Sequence, residues 1–186
     1  MSTTPQHRIL LVDDHPMMRR GIRQMLELED DYKILIDCGT DMERELDFTQ
    51  PVTGYQPFFP FEAAQVNLVL LTHAHIDHSG NIPMLYREGY EGQVLCTPPT
   101  AELAEILLYD AASLNYKKLK QAEGDSKKKK KKMDRLMVKG DLYLQKDVED
   151  TMSNFVTLQF NRRFKVKDGV WVTFVPAGHL LGAAHV

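Results

Sequence analysis

The chain has 186 residues, of which 43% are hydrophobic and 26% charged, with a net charge of −3, values that fit a globular domain with a buried core rather than a disordered chain. Its two cysteines, Cys38 and Cys96, are far apart in sequence, which excludes a disulfide framework and a zinc site built only of cysteines. No apolar run approaches the roughly 18–20 residues that span a bilayer, and residues 1–7 lack the pattern of a secretion signal, so we expect a cytoplasmic protein without membrane or disulfide-linked partners.

The first half of the chain alternates apolar runs with a helical pattern. Residues 8–12 form a short β-branched run that predicts a buried strand, and apolar residues at helical spacing predict an amphipathic helix over residues 16–29. A second strand is predicted at residues 32–37, and a third, the most apolar, at residues 66–71. Residues 41–62 contain several prolines and glycines and predict a loop. The strand–helix–strand pattern at the start predicts a parallel pair with a right-handed crossover.

The second half continues the alternation, although residues 141–160 favour no particular element. The other predicted elements are a helix at residues 79–89, a strand at 93–96, a helix at 101–114 that Thr100 caps, and strands at 163–166 and 170–175 around a tight turn. Strands that alternate with helices indicate an α/β fold.

A cluster of histidines follows the third predicted strand directly. His73 and His75 are two residues apart, so in an extended segment both imidazoles point the same way and can share one ion. Asp77 and His78 come just after a turn and can address a second ion nearby. Imidazole and carboxylate ligands suit zinc, and two zinc ions together can activate water for hydrolysis. The alternative is a polar loop that is rich in histidine by chance.

The cluster and two further segments carry a resemblance to a known family. Residues 73–78 resemble the signature of the metallo-β-lactamase fold superfamily, and residues 34–39 and 176–184 narrow the resemblance to its β-CASP branch of RNA-processing enzymes. The resemblance implies that His73, His75 and His179 hold one zinc ion and that Asp77 and His78 hold the other. Asp37 and Asp77 are the expected catalytic residues, with Asp37 orienting the metal ligands. Judged without the family, His179 is a lone histidine and is more often structural.

The resemblance covers only part of the family pattern. We expect an α/β fold, namely a partial metallo-β-lactamase-like αβ/βα layered fold. Its C-terminal half is expected to be missing, because the family pattern continues beyond the segment that matches residue 186. The parent family holds two zinc ions, but here the second ion would have only Asp77 and His78, so we expect about one. We accordingly expect RNA binding with little or no RNase activity.

The N-terminal segment resembles a different family. Residues 9–26 resemble the opening strand and helix of response-regulator receiver domains, in which the acidic pair matching Asp13 and Asp14 holds Mg²⁺. The predicted domains are therefore a receiver-like βα fragment at residues 1–29 and the N-terminal part of a metallo-β-lactamase-fold domain at residues 30–186. A receiver also needs an acceptor aspartate after its third strand, where this chain has Thr72 and His73.

A lysine-rich loop is predicted at about residues 115–140, a segment that contains eleven Lys and Arg but three acidic residues. Its centre is the run Lys127, Lys128, Lys129, Lys130, Lys131 and Lys132. Such a run either attracts RNA phosphates or is a solvated, self-repelling surface loop.

The sequence thus predicts a zinc-dependent hydrolase whose parent activity is RNA phosphodiester cleavage through metal-activated water. Two alternatives remain open at this point. One is a phosphoreceiver-type signalling protein, and the other is a metal-binding but inactive chimera.

Overall fold

The computed structural model describes residues 8–11, 32–40, 58–123 and 142–186. The strands are β1 (Arg8–Leu11), β2 (Lys33–Ile36), β3 (Leu68–Leu70), β4 (Gln93–Cys96), β5 (Phe155–Thr157), β6 (Arg163–Lys167), β7 (Val170–Thr173), β8 (Val175–Pro176) and β9 (Ala184–His185). The helices are α1 (Ile76–Ser79), α2 (Ile82–Arg87), α3 (Pro98–Glu123) and α4 (Gln145–Met152), with a short 3₁₀ turn at Ala63–Gln65.

Within the described ranges, β1 to β5 form one parallel sheet in chain order. The parallel pairing of β1 with β2 was predicted from the sequence and is confirmed, with Ile9 opposite Ile34. The helix predicted between these strands at residues 16–29 lies outside the described residues. The α/β class is likewise confirmed, because helices connect parallel strands.

The two faces of the sheet bury different partners, as the two-residue period of a strand requires. Val69 and Leu71 point toward the helices and pack in a core with residues of α2, α3 and α4. Leu68 and Leu70 point the other way and pack in a second core. Burial of both faces explains why this strand reads as an uninterrupted apolar run.

The second core is closed by the antiparallel hairpin of β6 and β7. Val172 and the fully buried Phe174 pack from the hairpin side onto Ile34, Leu68 and Leu95 of the sheet. The hairpin therefore covers one face of the sheet, and β7 leads along the chain into β8 and the loop that carries His179.

Two predicted helices differ from those observed. The helix expected at residues 79–89 is shorter, α2 at Ile82–Arg87, and a separate single turn, α1, precedes it. The backbone N–H of Asn81, between the two, donates to the carbonyl of Cys38 at 2.9 Å and not to a residue of α1. The helix expected at residues 101–114 begins earlier, at Pro98, and ends later, at Glu123. Thr100 therefore lies inside α3 and is not its N-cap. Its predicted capping role is wrong.

The stretch that favoured no element, residues 141–160, contains α4 and β5. Among the described helices none is both long enough and apolar enough to cross a membrane.

Candidate metal centre

The site begins where β2 and β3 end side by side. Because the two strands are parallel neighbours, their carboxyl ends meet at one edge of the sheet and bring Asp37 next to Thr72 and His73. Asp37 takes a left-handed backbone conformation with φ 56°, which is uncommon for a residue with a side chain. Its backbone N–H donates to the carbonyl of Leu70 at 2.9 Å, so the turn that bends Asp37 is tied to β3.

The carboxylate of Asp37 is buried and accepts three hydrogen bonds. Oδ1 accepts from the backbone N–H of Thr72 at 2.7 Å. Oδ2 accepts from the hydroxyl of Thr72 at 2.7 Å and lies 2.7 Å from Nδ1 of His78. Since a carboxylate accepts from an N–H, this contact favours the tautomer of His78 that carries its proton on Nδ1.

The hydroxyl of Thr72 extends the same arrangement to His73. Its oxygen lies 3.0 Å from Nδ1 of His73, and its proton is already donated to Asp37, so it accepts the Nδ1 proton of the imidazole. Nε2 of His73 is therefore the ring nitrogen that carries the lone pair. Burial lowers the pKa of His73 to about 4, with a further lowering from His78 that the charge of Asp37 opposes. The imidazole is thus neutral at neutral pH, as a metal ligand must be.

Three imidazole nitrogens, one each from His73, His75 and His179, lie close together. Nε2 of His73 lies 3.1 Å from Nδ1 of His75, and Nε2 of His179 lies 3.3 Å from the same Nδ1. All three atoms lie within 4.8 Å of one another, close enough to share one metal ion. His73 is buried, His75 is half-buried and His179 is exposed, so this triad opens toward solvent at His179.

His179 reaches the triad because two hydrogen bonds hold the C-terminal part of its loop, at Gly182 and Ala184. The backbone N–H of Ala184 donates to the carbonyl of Thr72 at 2.9 Å, which attaches the loop to the end of β3. The buried hydroxyl of Thr97 donates to the carbonyl of Gly182 at 2.6 Å, which attaches it to the start of α3. These two bonds hold residues 104 positions apart, His75 and His179, in one site.

A second pair of ligand atoms lies beside the triad. Nε2 of His78 is 3.6 Å from Oδ2 of Asp77. A further group of three, Asp37, His73 and His78, also has its ligand atoms within 4.8 Å of one another. The oxygens of Asp37, however, already accept from Thr72 and His78, so its observed contacts are those of a residue that orients ligands.

Comparison with known proteins places this geometry in a family. The model of the metallo-beta-lactamase superfamily domain matches residues 25–185, which include every residue of the triad. The chain belongs to the metallo-β-lactamase superfamily. The match starts at residue 25, so it leaves the receiver-like identity of residues 1–29 as a prediction.

Curated relatives of the chain include a transcription termination factor and a ribonuclease. The chain is 34% identical over 152 residues to the transcription termination factor FttA of Methanosarcina mazei, covering 82% of this chain and 20% of the relative. It is 32% identical over 154 residues to the ribonuclease TTHA0252 of Thermus thermophilus, covering 83% of this chain and 29% of that protein. The chain thus spans between a fifth and a third of the length of these relatives. The resemblance to RNA-processing members of the superfamily, inferred from the motifs, is confirmed.

Sequence reasoning missed two residues that shape the metallo-β-lactamase site. One is Thr72, described above. The other is Gly39, because a Cβ built there would lie 1.5 Å from the carbonyl oxygen of Asp77. The backbone of the turn after β2 is thus in close contact with the backbone of residues 77–78, which carry two of the predicted ligands. The N–H of Cys38 donates to the carbonyl of His78 at 2.7 Å in the same contact. A hydroxyl directly before the histidines and a glycine two residues after Asp37 were the available signals.

The predicted nucleic-acid-binding lysines, Lys127 to Lys132, lie outside the described residues.

Proposed function

We propose that this chain carries the zinc-binding part of a hydrolase that cleaves RNA phosphodiesters through metal-activated water. The observation that carries the proposal is the convergence of Nε2 of His73, Nδ1 of His75 and Nε2 of His179. The relatives named as a termination factor and a ribonuclease support RNA over other substrates of the superfamily. A cytoplasmic location belongs to the same proposal.

The donor set fits zinc better than a hard cation. Two ligand atoms bound to a tetrahedral zinc at about 2.0–2.1 Å lie roughly 3.3–3.4 Å apart. The measured separations of 3.1 and 3.3 Å are close to this spacing. Three nitrogen ligands and no carboxylate are unsuited to Mg²⁺ or Ca²⁺, which take oxygen ligands. Three protein ligands also leave a fourth position open, which is the ligand count of a catalytic zinc site.

The residues of the site divide into metal ligands and residues that orient those ligands. His73, His75 and His179 would hold the ion, while Asp37 and Thr72 keep the imidazoles in the tautomer and rotation that ligation needs. Zinc bound there supplies Lewis-acid activation of water near neutral pH. Asp77 and His78 form a pair next to His73 and would contribute to a second ion or to substrate binding.

About one zinc ion is expected per chain, because the two positions differ in ligand number. The triad offers three atoms, whereas Asp77 and His78 offer a pair 3.6 Å apart. Two protein ligands compete poorly with water and buffer for zinc. A single ion lacks the two-metal clamp on attacking and leaving oxygens, so we expect weak cleavage.

Zinc analysis combined with a cleavage assay on a labelled RNA tests the proposal. We expect bound zinc together with slow cleavage that a chelator or His73→Ala abolishes and His185→Ala leaves unchanged. His185 is an exposed histidine outside the triad and serves as the matched control. Bound zinc with no cleavage at all would favour a metal-binding but inactive protein. Absence of zinc with phosphorylation by acetyl phosphate would favour the phosphoreceiver alternative.

A further inference from the structure

The outward face of the β6–β7 hairpin has an unusual composition. Lys165 lies directly opposite Trp171 in the register, and Arg163, opposite Thr173, is the diagonal neighbour of the same tryptophan. Trp171 is 47% exposed, although the next residue on its strand, Val172, is buried in the core below. We call Arg163, Lys165 and Trp171 the basic hairpin face.

The segment that forms β6 is basic in a chain whose net charge is negative. Residues 162–168 contain Arg162, Arg163, Lys165 and Lys167 but one acidic residue, Asp168, which pairs with Lys165 at 2.5 Å. The whole chain carries −3. The hairpin is thus a local site of attraction for an anionic partner.

The cations and the aromatic ring are arranged together. The guanidinium carbon of Arg163 lies 4.7 Å from the centroid of the Trp171 ring, so a planar cation and an indole form one stacked surface. Packing does not explain this tryptophan, because the inward residues Val172 and Phe174 already close the core beneath the hairpin. An exposed indole beside two cations, Arg163 and Lys165, is a combination that binds single-stranded nucleic acids, with bases stacked on rings and phosphates near cations.

We propose that the basic hairpin face binds single-stranded RNA, with a base stacked on the Trp171–Arg163 pair and a neighbouring phosphate contacted by Lys165. The choice of RNA rests on the proposed function, while the stacking and the charge come from the hairpin itself. A duplex hides its base faces, so it would meet the cations without the stacking. An acidic peptide would also satisfy the charges but offers no base to stack.

The chain offers a direct probe, since Trp171 is its single tryptophan. Tryptophan fluorescence of the full chain is titrated with an unlabelled ten-nucleotide single-stranded RNA in the presence of a chelator, so that no metal is bound and no cleavage occurs. We expect saturable quenching by the RNA and a binding constant that weakens as salt rises. Poly-glutamate of similar length should leave the fluorescence unchanged. Because no metal is present, this outcome does not depend on whether the hydrolase proposal holds.

Variants are then compared by the fluorescence polarisation of a labelled RNA. Trp171→Ala should weaken binding about 10-fold, whereas Trp171→Phe, which keeps an aromatic ring, should lose much less. Arg163→Gln should weaken binding and reduce its salt dependence. The matched control is Tyr116→Ala, since Tyr116 is also about half exposed and also has a cation, Lys120, over its ring at 4.8 Å, but lies on α3.

Circular dichroism of each variant separates a folding defect from a binding defect, and Trp171→Phe keeps the test valid should the alanine variant unfold. RNA binding that neither quenches Trp171 nor weakens in Trp171→Ala would overturn the proposal. Equal loss in Tyr116→Ala, or equal quenching by poly-glutamate, would overturn it as well.

Discussion

Oδ2 of Asp37 lies 2.7 Å from Nδ1 of His78, and the same oxygen accepts the hydroxyl proton of Thr72, whose oxygen in turn meets Nδ1 of His73. One buried carboxylate therefore orients two histidines, His73 of the triad and His78 beside it, whose ring centroids are 4.0 Å apart. Each imidazole donates a hydrogen bond from its Nδ1–H, His73 to the hydroxyl of Thr72 and His78 to the carboxylate of Asp37.

Asp37→Asn tests this relationship. The amide has one oxygen in place of two, so it cannot accept from the N–H and hydroxyl of Thr72 and from His78 together. We expect zinc affinity to fall about 10- to 100-fold, as measured by competition with a chelating dye. Asp110→Asn, at an exposed position on α3, is the control and should leave the affinity unchanged. Equal affinity in both variants would show that Asp37 does not orient the ligands.

Thr72→Val should separate the hydroxyl from the backbone contact. Valine keeps the branched shape and the N–H bond to Asp37 but removes the oxygen that links Asp37 to His73. We expect roughly 10-fold weaker zinc binding, with recovery in Thr72→Ser. The dye competition assay measures both. A serine variant as weak as the valine variant would indicate that packing at this position, and not the hydroxyl, matters.

Gly39→Ala tests the close contact beneath the ligand loop. The added Cβ would lie 1.5 Å from the oxygen and 1.8 Å from the carbon of the Asp77 carbonyl, so backbone must move. We expect the free energy of unfolding to fall by about 3 kcal/mol or more in denaturant titrations, with loss of zinc.

Gly89→Ala is the matched control for this variant. Gly89 has φ 94°, but its added Cβ would meet Ala64 at an ordinary 3.5 Å. Backbone strain alone should cost about 1–2 kcal/mol and leave zinc binding intact. A larger loss at Gly89 than at Gly39 would contradict the account of the contact.

The two cysteines should not react with thiol reagents in the folded protein. Both are buried, and burial raises the pKa of Cys96 to about 12, from an ordinary value near 9, and raises that of Cys38 further with the help of the charge on Asp37. A chromogenic disulfide reagent at pH 8 should detect no thiol until denaturant is added, and then two. Because the pKa of Cys96 is higher in the folded than in the unfolded protein, the protonated thiol favours the folded state. This contribution to the free energy of unfolding is complete below pH 9 and declines as the pH rises toward 12. Rapid native labelling at pH 8 would contradict this.

How much of the fold could be predicted depended on how apolar each element is. Strand β4 was predicted at its observed bounds because its run is short, apolar and bounded by turn residues. Helix α4 was not predicted, since its sequence is mostly polar and its main buried side chains are Val148 and Thr151. Its start depends on a bond from the N–H of Leu144 to the carboxylate of Asp147 at 2.7 Å. That contact has no periodic signature.

The site was predictable where its residues are close in sequence. His73 and His75 stand out by spacing, whereas His179 needed the family resemblance. The role of Thr72 could not be predicted, because it depends on the register that places β2 beside β3. Hydrogen bonds between distant strands are set by tertiary structure and leave no local pattern.

The account depends most on one claim, that His73, His75 and His179 form a single zinc site. Native mass spectrometry of the purified chain, after dialysis against a weak chelator, measures zinc per chain directly. Alanine variants of the three histidines are compared with His185→Ala, an exposed histidine outside the triad.

We predict about one zinc per chain in the unaltered protein and in His185→Ala, and none in the variants of His73, His75 or His179. Zinc retained in His179→Ala would mean that the loop histidine is not a ligand, and equal zinc loss in His185→Ala would mean that the assay reports general unfolding. Either result would contradict the central claim.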